Sequence, residues 1–357
     1  MSAALWDRLR ADGLVAGDRP VDPRPAAPWY VRVMLGIAGW IGALFLILFV
    51  GAAFASLLDD AFASALVGAL CCAAAWFLFR RFGGRDFADQ FALVISLVGQ
   101  ALLIYGIGQA LDPIDPPFLL AVAATQAVLA WAISNFLHRV LASAGTALAL
   151  ALTVGQLGLH GLASPLLCLA FAWVWLDPAR WAAGGGLWRP VGYGLALALV
   201  LVETVRLFGL AALFGSAEDP AGWFVLHGPL LGRILTAAVL VWAALALVRR
   251  EGLEPGDRIG RLALGLAILL ALVSLAAPGL GAALLILLLG FAAGHRILVA
   301  LGILGLLGFV SHFYYSLHAT LLEKSGLLAL TGLALIAIYL LLRHAARPSG
   351  RMEAGHA

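Results

Sequence analysis

The stretch VGYGLALALVLVETVRLFGLAALF, Val191–Phe214, decides the fold class of this chain. It is long enough to cross a bilayer, because a spanning helix needs about 20 predominantly apolar residues. Similar stretches recur along the 357 residues, of which 63% are hydrophobic and 11% are charged. Soluble domains are about 45–50% apolar and about 25% charged, so one soluble core could not bury this much apolar surface. The composition therefore predicts an all-α polytopic bundle of helices in a membrane.

Hydropathy predicts about twelve transmembrane helices. In chain order they are Val33–Leu57, Ala61–Phe79, Phe91–Leu111, Phe118–Leu137, Leu141–Leu157, Ala163–Trp175, Val191–Phe214, Pro229–Leu247, Leu262–Ala276, Gly281–Ala293, Ile297–Leu317 and Ser325–Leu342. The sixth, ninth and tenth are short, and a tight APGLGA turn separates the last two of these. The predicted organisation is a cytoplasmic N-terminal segment (residues 1–32), a transmembrane domain (33–342) and a cytoplasmic tail (343–357).

The distribution of arginine supports this count and places both termini in the cytoplasm. Cytoplasmic loops of membrane proteins collect Lys and Arg. With twelve spans and the N-terminus inside, nineteen of the twenty-two basic residues fall in inner segments. The outer connections are acidic, as in Asp59–Asp60 and Asp112–Pro117. The polar start of the chain predicts that no signal peptide is cleaved.

Three charged residues within the predicted spans form a candidate intramembrane charge cluster, Glu203, Arg206 and Arg233. Glu203 and Arg206 stand three residues apart on one helix face, where they can pair. They are either a self-neutralising structural pair or part of a substrate path or conformational switch. Arg233 lies about one turn inside the eighth span and can snorkel to the outer headgroups. Alternatively, the two arginines share Glu203 and require a further anion.

A second candidate is an outer-face polar segment in VSHFYYSLHATLLEKSG, Val310–Gly326. At about 100° per residue, several polar side chains of this segment share one helix face. The residues concerned are His312, Tyr315, Ser316, Thr320, Glu323 and Lys324, the last being the only lysine of the chain. The segment is either an interfacial helix with ordinary polar decoration or a lid over the outer ends of the seventh and eighth spans. A lysine in an arginine-rich chain favours a role for a compact ammonium.

The sequence contains no pattern typical of a cofactor, metal or nucleic-acid site. Cys71, Cys72 and Cys168 lie in apolar segments, without a CxxC spacing or a nearby histidine. We therefore interpret them as packing residues. The glycine-rich stretches lack the P-loop lysine. The arginines are spread among loops and form no basic stripe for nucleic acid. Neither Gly-x-Ser-x-Gly nor His-Glu-x-x-His occurs, so an intramembrane enzyme is the least favoured function.

Two stretches resemble one family. FYYSLHATLLEKSGLLALTGLALIAIYLLLR, Phe313–Arg343, is similar to the ending of the bacterial domain-of-unknown-function family numbered 4401. PWYVRVMLGIAGWIGALFL, Pro28–Leu46, is similar to the first span of that family. The resemblance implies a multi-pass protein of the bacterial inner membrane. It also implies partners, because members are often encoded near a family numbered 2157 and a small protein with a Gly-Asp-Tyr-x-x-Leu-x-Tyr motif. It implies no catalytic residue.

The sequence favours two functions of different classes. The first is a non-enzymatic scaffold or sensor in a multi-protein membrane assembly, since reaction motifs are absent and the loops are small. The alternative is a secondary transporter or flippase that uses the charge cluster. Against the alternative, no pair of Gly- or Pro-broken helices stands at matching positions in two halves of the chain. A cavity reaching Glu203 would favour transport, whereas a dry, packed pair would favour the scaffold.

Overall fold

The fold is built from α-helices. The computed structural model describes residues 3–13, 17, 29–53, 60–84, 86–112, 115–207 and 222–316, and all regular structure within these ranges is helical. The helices are α1 (Ala3–Ala11), α2 (Trp29–Ala53), α3 (Ala61–Phe82), α4 (Asp86–Ala110), α5 (Pro116–Ala132), α6 (Phe136–Gln156), α7 (Ala163–Leu176), α8 (Pro178–Leu207), α9 (Trp223–Arg250), α10 (Arg258–Ala276), α11 (Leu280–Ala292) and α12 (Arg296–Ser316).

The predicted all-helical, membrane-type fold is confirmed. Among the described residues, seven helices are long and apolar enough to cross a bilayer, namely α3, α4, α6, α8, α9, α10 and α12. Helices α2 to α12 correspond in order to the first eleven predicted spans, while Ser325–Leu342 lies outside the described residues. The count of twelve spans, the orientation of the termini and the domain boundaries stay predictions.

The turn between α5 and α6 corrects one predicted boundary. The fourth predicted span runs to Leu137, but α5 ends at Ala132 and Asn135 caps α6 by accepting a hydrogen bond from the His138 backbone N–H at 3.0 Å. Arg139 therefore lies in the first turn of α6. Its guanidinium donates to the carbonyls of Ala130 at 3.0 Å and Trp131 at 3.3 Å. These carbonyls belong to the last turn of α5, which has no intrahelical donors to satisfy them.

Helix α8 begins well before the predicted seventh span. It starts at Pro178, a position suited to proline because the first helical N–H has no partner. Gly184 departs from helical geometry (φ −149°, ψ 36°), and Pro190 lies within the helix. The long apolar run of the helix follows Pro190, which is why hydropathy alone placed the start of the span at Val191.

Two short helices occupy the centre of the bundle. Helix α7 has 14 residues and α11 has 13. At about 1.5 Å per residue both are near 20 Å long, less than the roughly 30 Å hydrocarbon core. Helix α7 packs against α6, α8, α9 and α11, and α11 packs against α7, α8, α9, α10 and α12. Their core side chains, including Phe171, Leu285 and Ile286, are fully buried.

Helices α2, α3 and α4 form a separate layer at the N-terminal side of this core. Helix α4 packs against both α2 and α3 and connects the layer to α5 and α6. Gly68 of α3 and Gly99 of α4 face each other so closely that a Cβ on either would meet backbone atoms of the other helix at 2.7–2.8 Å. Close backbone approach through small residues is the usual packing mode of membrane helices.

A second close approach fixes the start of α7 against α9. A Cβ on Gly232 would collide with the carbonyl of Gly161, and a Cβ on Gly228 would collide with that of His160. Gly161 itself has a positive φ of 88°, which favours glycine. The turn between α6 and α7 is thus held on the Gly228–Gly232 face of α9. This contact brings Ser164 of α7 and Arg233 of α9 to the same end of the bundle.

Candidate intramembrane charge site

A polar cavity of about 290 Å³ lies at this end of the bundle. It forms where α7 and α11 begin, where α8 and α10 end, and against the first half of α9. Its polar side chains are Ser164, Glu203, Arg206, Arg233, Thr236 and Ser274. The structure therefore brings the three members of the predicted charge cluster to the wall of a single cavity.

Glu203 is buried at this cavity without an ionic partner among the described residues. Its side chain is only 5% exposed. The one ion pair within 4.0 Å in the described part of the chain joins Arg180 and Asp177, which lie elsewhere. Glu203 and Arg206 thus share a helix face and a cavity without direct contact of their charges. Removing an unpaired carboxylate from water is costly, so a buried carboxylate at a cavity wall is typical of a functional site.

The two arginines are anchored by single hydrogen bonds. Arg206 Nη1 donates to Ser164 Oγ at 3.0 Å, and Arg233 Nη1 donates to the Leu275 carbonyl at 3.3 Å. Each guanidinium has five N–H donors in a planar fork. Neither makes another hydrogen bond to the described residues, so several donors on each remain for a ligand or water in the cavity.

The start of α11 adds a further positive element to the wall. Gly279 caps the helix in a left-handed conformation (φ 84°) and offers no side chain to the first-turn N–H groups. Gly281 and Ala282 of that first turn line the cavity. A helix N-terminus carries about half a positive charge. A Cβ on Gly281 would lie 3.1 Å from Thr236 Cγ2 and 3.2 Å from Ser274 Oγ, so the glycine keeps α9 and α10 close.

Sequence reasoning missed the hydroxyl groups and the helix start. Ser164, Thr236 and Ser274 are buried, with exposures of 2%, 8% and 6%. Isolated Ser and Thr residues in apolar helices usually satisfy backbone carbonyls, as Ser274 does toward Ala271 at 2.7 Å. The APGLGA turn was the one available signal. This turn predicts a helix start, but the sequence does not show which other helices pack beside that start.

The structure describes the outer-face polar segment only in part. Helix α12 contains His312 and Tyr315 and ends at Ser316, while Thr320, Glu323 and Lys324 lie outside the described residues. Tyr315 is 80% exposed, and its ring centroid lies 5.5 Å from that of Tyr314. The role of this segment as a lid stays a prediction.

A second buried polar cluster, between α4 and α6, is uncharged in its contacts. His138 is fully buried, and its Nε2 lies 2.9 Å from Gln100 Nε2. Gln100 Nε2 also donates to Ser96 Oγ at 3.4 Å. His138 Nδ1 has no partner among the described residues. The contact between Gln100 and His138 is a polar contact between two helices.

An aromatic cluster lies at the end of the bundle opposite the cavity. His295, in the turn before α12, packs against Trp175 at 4.9 Å, Trp181 at 5.5 Å and Tyr193 at 6.1 Å between ring centroids. The Tyr193 hydroxyl lies 3.5 Å from His295 Nδ1. Burial and the nearby Arg189 charge lower the pKa of the His295 imidazole from its ordinary value of 6.5.

Comparison with known proteins identifies a family but no activity. Residues 28–344 match the family described as "Domain of unknown function (DUF4401)". No curated protein and no solved structure matches the chain. The matched residues include α2 to α12 and therefore all five helices that line the cavity. As the resemblance of its two ends implied, the chain belongs to the DUF4401 family.

Proposed function

We propose that this protein is a membrane carrier, a secondary transporter or flippase, whose ligand occupies the cavity lined by Glu203, Arg206 and Arg233. The observation that carries the proposal is the cavity itself. A self-neutralising pair packed in a dry core would have supported a structural role. The charges instead border open space, and the described residues provide no ion pair between them.

The energetics of the membrane interior support this proposal. A charge at the bilayer centre costs about 2.5–3.5 kcal/mol on insertion scales, and such residues usually mark substrate or ion paths. Here two guanidinium groups, a carboxylate and three hydroxyl groups converge from α7, α8, α9 and α10. Helix packing alone does not require three formal charges at one site.

The two short helices support it further. Carriers commonly build ligand sites where discontinuous helices begin, so that helix termini and side chains point at the ligand together. Helices α7 and α11 are too short to cross the hydrocarbon core, and the first residues of both line the cavity. The sequence argued against a carrier because it showed no matched broken helices. In three dimensions, the two short helices provide a comparable arrangement.

Thiol accessibility tests whether the cavity opens to water. Cys71, Cys72 and Cys168 are first changed to alanine, and Thr236→Cys is then introduced at the cavity. A charged, membrane-impermeant thiosulfonate should label Thr236→Cys in intact membranes. Ala243→Cys is the matched control, because it lies two turns further along the same face of α9 and is fully buried.

The two variants must differ for the proposal to stand. If Thr236→Cys resists the reagent from both sides of the membrane as completely as Ala243→Cys, and both react after denaturation, then the cavity is closed and the carrier proposal fails. The scaffold or sensor role, which rests on the missing reaction motifs and on the family resemblance, would then take its place.

A further inference from the structure

We infer that the ligand of this cavity is an oxyanion, carried as a carboxylate, phosphate or sulfate group. The inference rests on the proposed function and specifies its ligand. The polar side chains that line the cavity come from α7, α8, α9 and α10, and the one carboxylate among the described residues of the wall, Glu203, is buried.

The charges of the site are not balanced by the described residues. Arg206 and Arg233 contribute two positive charges, and the start of α11 adds about half a charge more. Among the described residues, Glu203 is the single acid on the wall, and the polar groups from α7, α10 and α11 are Ser164, Ser274 and backbone groups. One carboxylate against two guanidinium groups and a helix start leaves an excess of about one and a half positive charges for a ligand to neutralise.

The donors suit an anion with several oxygens better than a simple halide. A guanidinium fork presents parallel N–H groups that match two oxygens of a carboxylate or phosphate. The first-turn N–H groups of α11 form the kind of site that binds phosphate and sulfate at helix N-termini. Thr236 also lines the cavity beside this turn, with its methyl group toward Gly281. Donors from α8, α9 and α11 can thus contact different oxygens of one group.

Glu203 competes with an anion for the same donors. The groups around it are Arg206 on its own helix, Arg233 on α9, the start of α11 and the buried thiol of Cys168 on α7. A carboxylate at this position repels an incoming anion and attracts the guanidinium groups that the anion needs. Replacing it with glutamine should therefore strengthen anion binding.

Sulfate binding to the full chain in phosphatidylcholine nanodiscs tests the anion site. Sulfate is a suitable probe because its charge is constant across the working pH range. The readout is the dependence of the melting temperature on sulfate concentration, compared with chloride at equal ionic strength. Arg233→Gln should weaken sulfate binding about tenfold to a hundredfold, the range expected for losing hydrogen bonds from a charged group. Arg250→Gln is the control, since this exposed arginine ends the same helix.

Glu203→Gln provides a second test. It should bind sulfate more tightly than the parent, because it removes the carboxylate that competes with the anion for the guanidinium groups. Equal sulfate affinity in Arg233→Gln and Arg250→Gln would overturn the anion site. Weaker sulfate binding in Glu203→Gln than in the parent would overturn it as well.

Lipid composition separates the two sources of such an anion. If the natural ligand is a lipid headgroup, phosphatidylglycerol added to the nanodiscs should lower the apparent sulfate affinity of the parent but not of Arg233→Gln. If it is a soluble anion, the added lipid should change neither. The outcomes also separate the two proposals. Labelling of Thr236→Cys combined with sulfate binding that ignores Arg233 overturns the oxyanion alone, whereas a closed cavity overturns the carrier as well.

Discussion

The cavity around Glu203 and the cluster around His138 both place polar groups inside a membrane-type bundle, but they differ in how these groups are satisfied. Between α4 and α6, His138 and Gln100 contact each other directly at 2.9 Å and no formal charge is required. At the cavity, three formal charges border open space, and no ion pair joins them within the described residues. The first arrangement holds two helices together, whereas the second leaves hydrogen-bond donors available to a ligand.

The contrast gives a physical criterion for telling the two kinds of site apart. Interhelical hydrogen bonds in membranes stabilise helix association by about 0.6–2 kcal/mol, and the donor and acceptor that form such a bond are no longer available to a ligand. A site for a ligand must keep donors or acceptors without protein partners. Arg206 and Arg233 keep most of their donors without a partner in the part of the chain that the structure describes, while the Gln100 amide is already shared between Ser96 and His138.

The largest expected effect concerns the contact that forms the cavity. Gly232→Ala would press a methyl group against the Gly161 carbonyl, which is backbone and cannot rotate away. Overpacking of this kind costs about 1–3 kcal/mol or more. We expect a clear loss of folded protein, measured as monodisperse yield and melting temperature in detergent. Gly265→Ala is the control, because nothing lies within 4 Å of its added Cβ. Equal stability of the two variants would show that the α6–α7 turn is not held on α9.

A smaller effect separates the two polar sites directly. Gln100→Leu would leave the His138 imidazole without its partner on α4, at a cost of about 1–3 kcal/mol for a buried polar group left unsatisfied. Glu203→Gln should keep or raise the melting temperature, because it removes a buried carboxylate that makes no ion pair with the described residues. If Glu203→Gln proves the more damaging of the two, then Glu203 is a structural partner and the contrast between the sites is wrong.

These sites also show what the sequence could predict and what it could not. The charged residues Glu203, Arg206 and Arg233 were predictable as candidates because each lies within an otherwise apolar predicted span. Their meeting at one cavity was not, since it depends on the glycine contact that sets α7 against α9. His138 was missed because the predicted boundary placed it near a loop, whereas Asn135 starts α6 just before it. The eleven helices α2 to α12 were predictable because hydropathy measures length and apolarity directly.

The smallest expected effect concerns the aromatic cluster around His295, which extends the comparison to a titratable group without a charged partner. Its rings favour the neutral imidazole, and the pKa of His295 is lowered from 6.5 by burial and by Arg189. The contribution of this group to stability is therefore fully present above about pH 6.5, the ordinary value for histidine in an unfolded chain, and is lost as the pH falls through the lower folded value.

The melting temperature of the parent should drop on acidification by a few degrees more than that of His295→Phe, which keeps a ring among Trp175, Trp181 and Tyr193. All other titratable groups are the same in both chains, so the difference between the two acid profiles isolates His295. Profiles that run parallel from pH 8 to pH 5 would mean that the imidazole is protonated as easily in the folded chain as in water, and that the rings impose no preference on its charge.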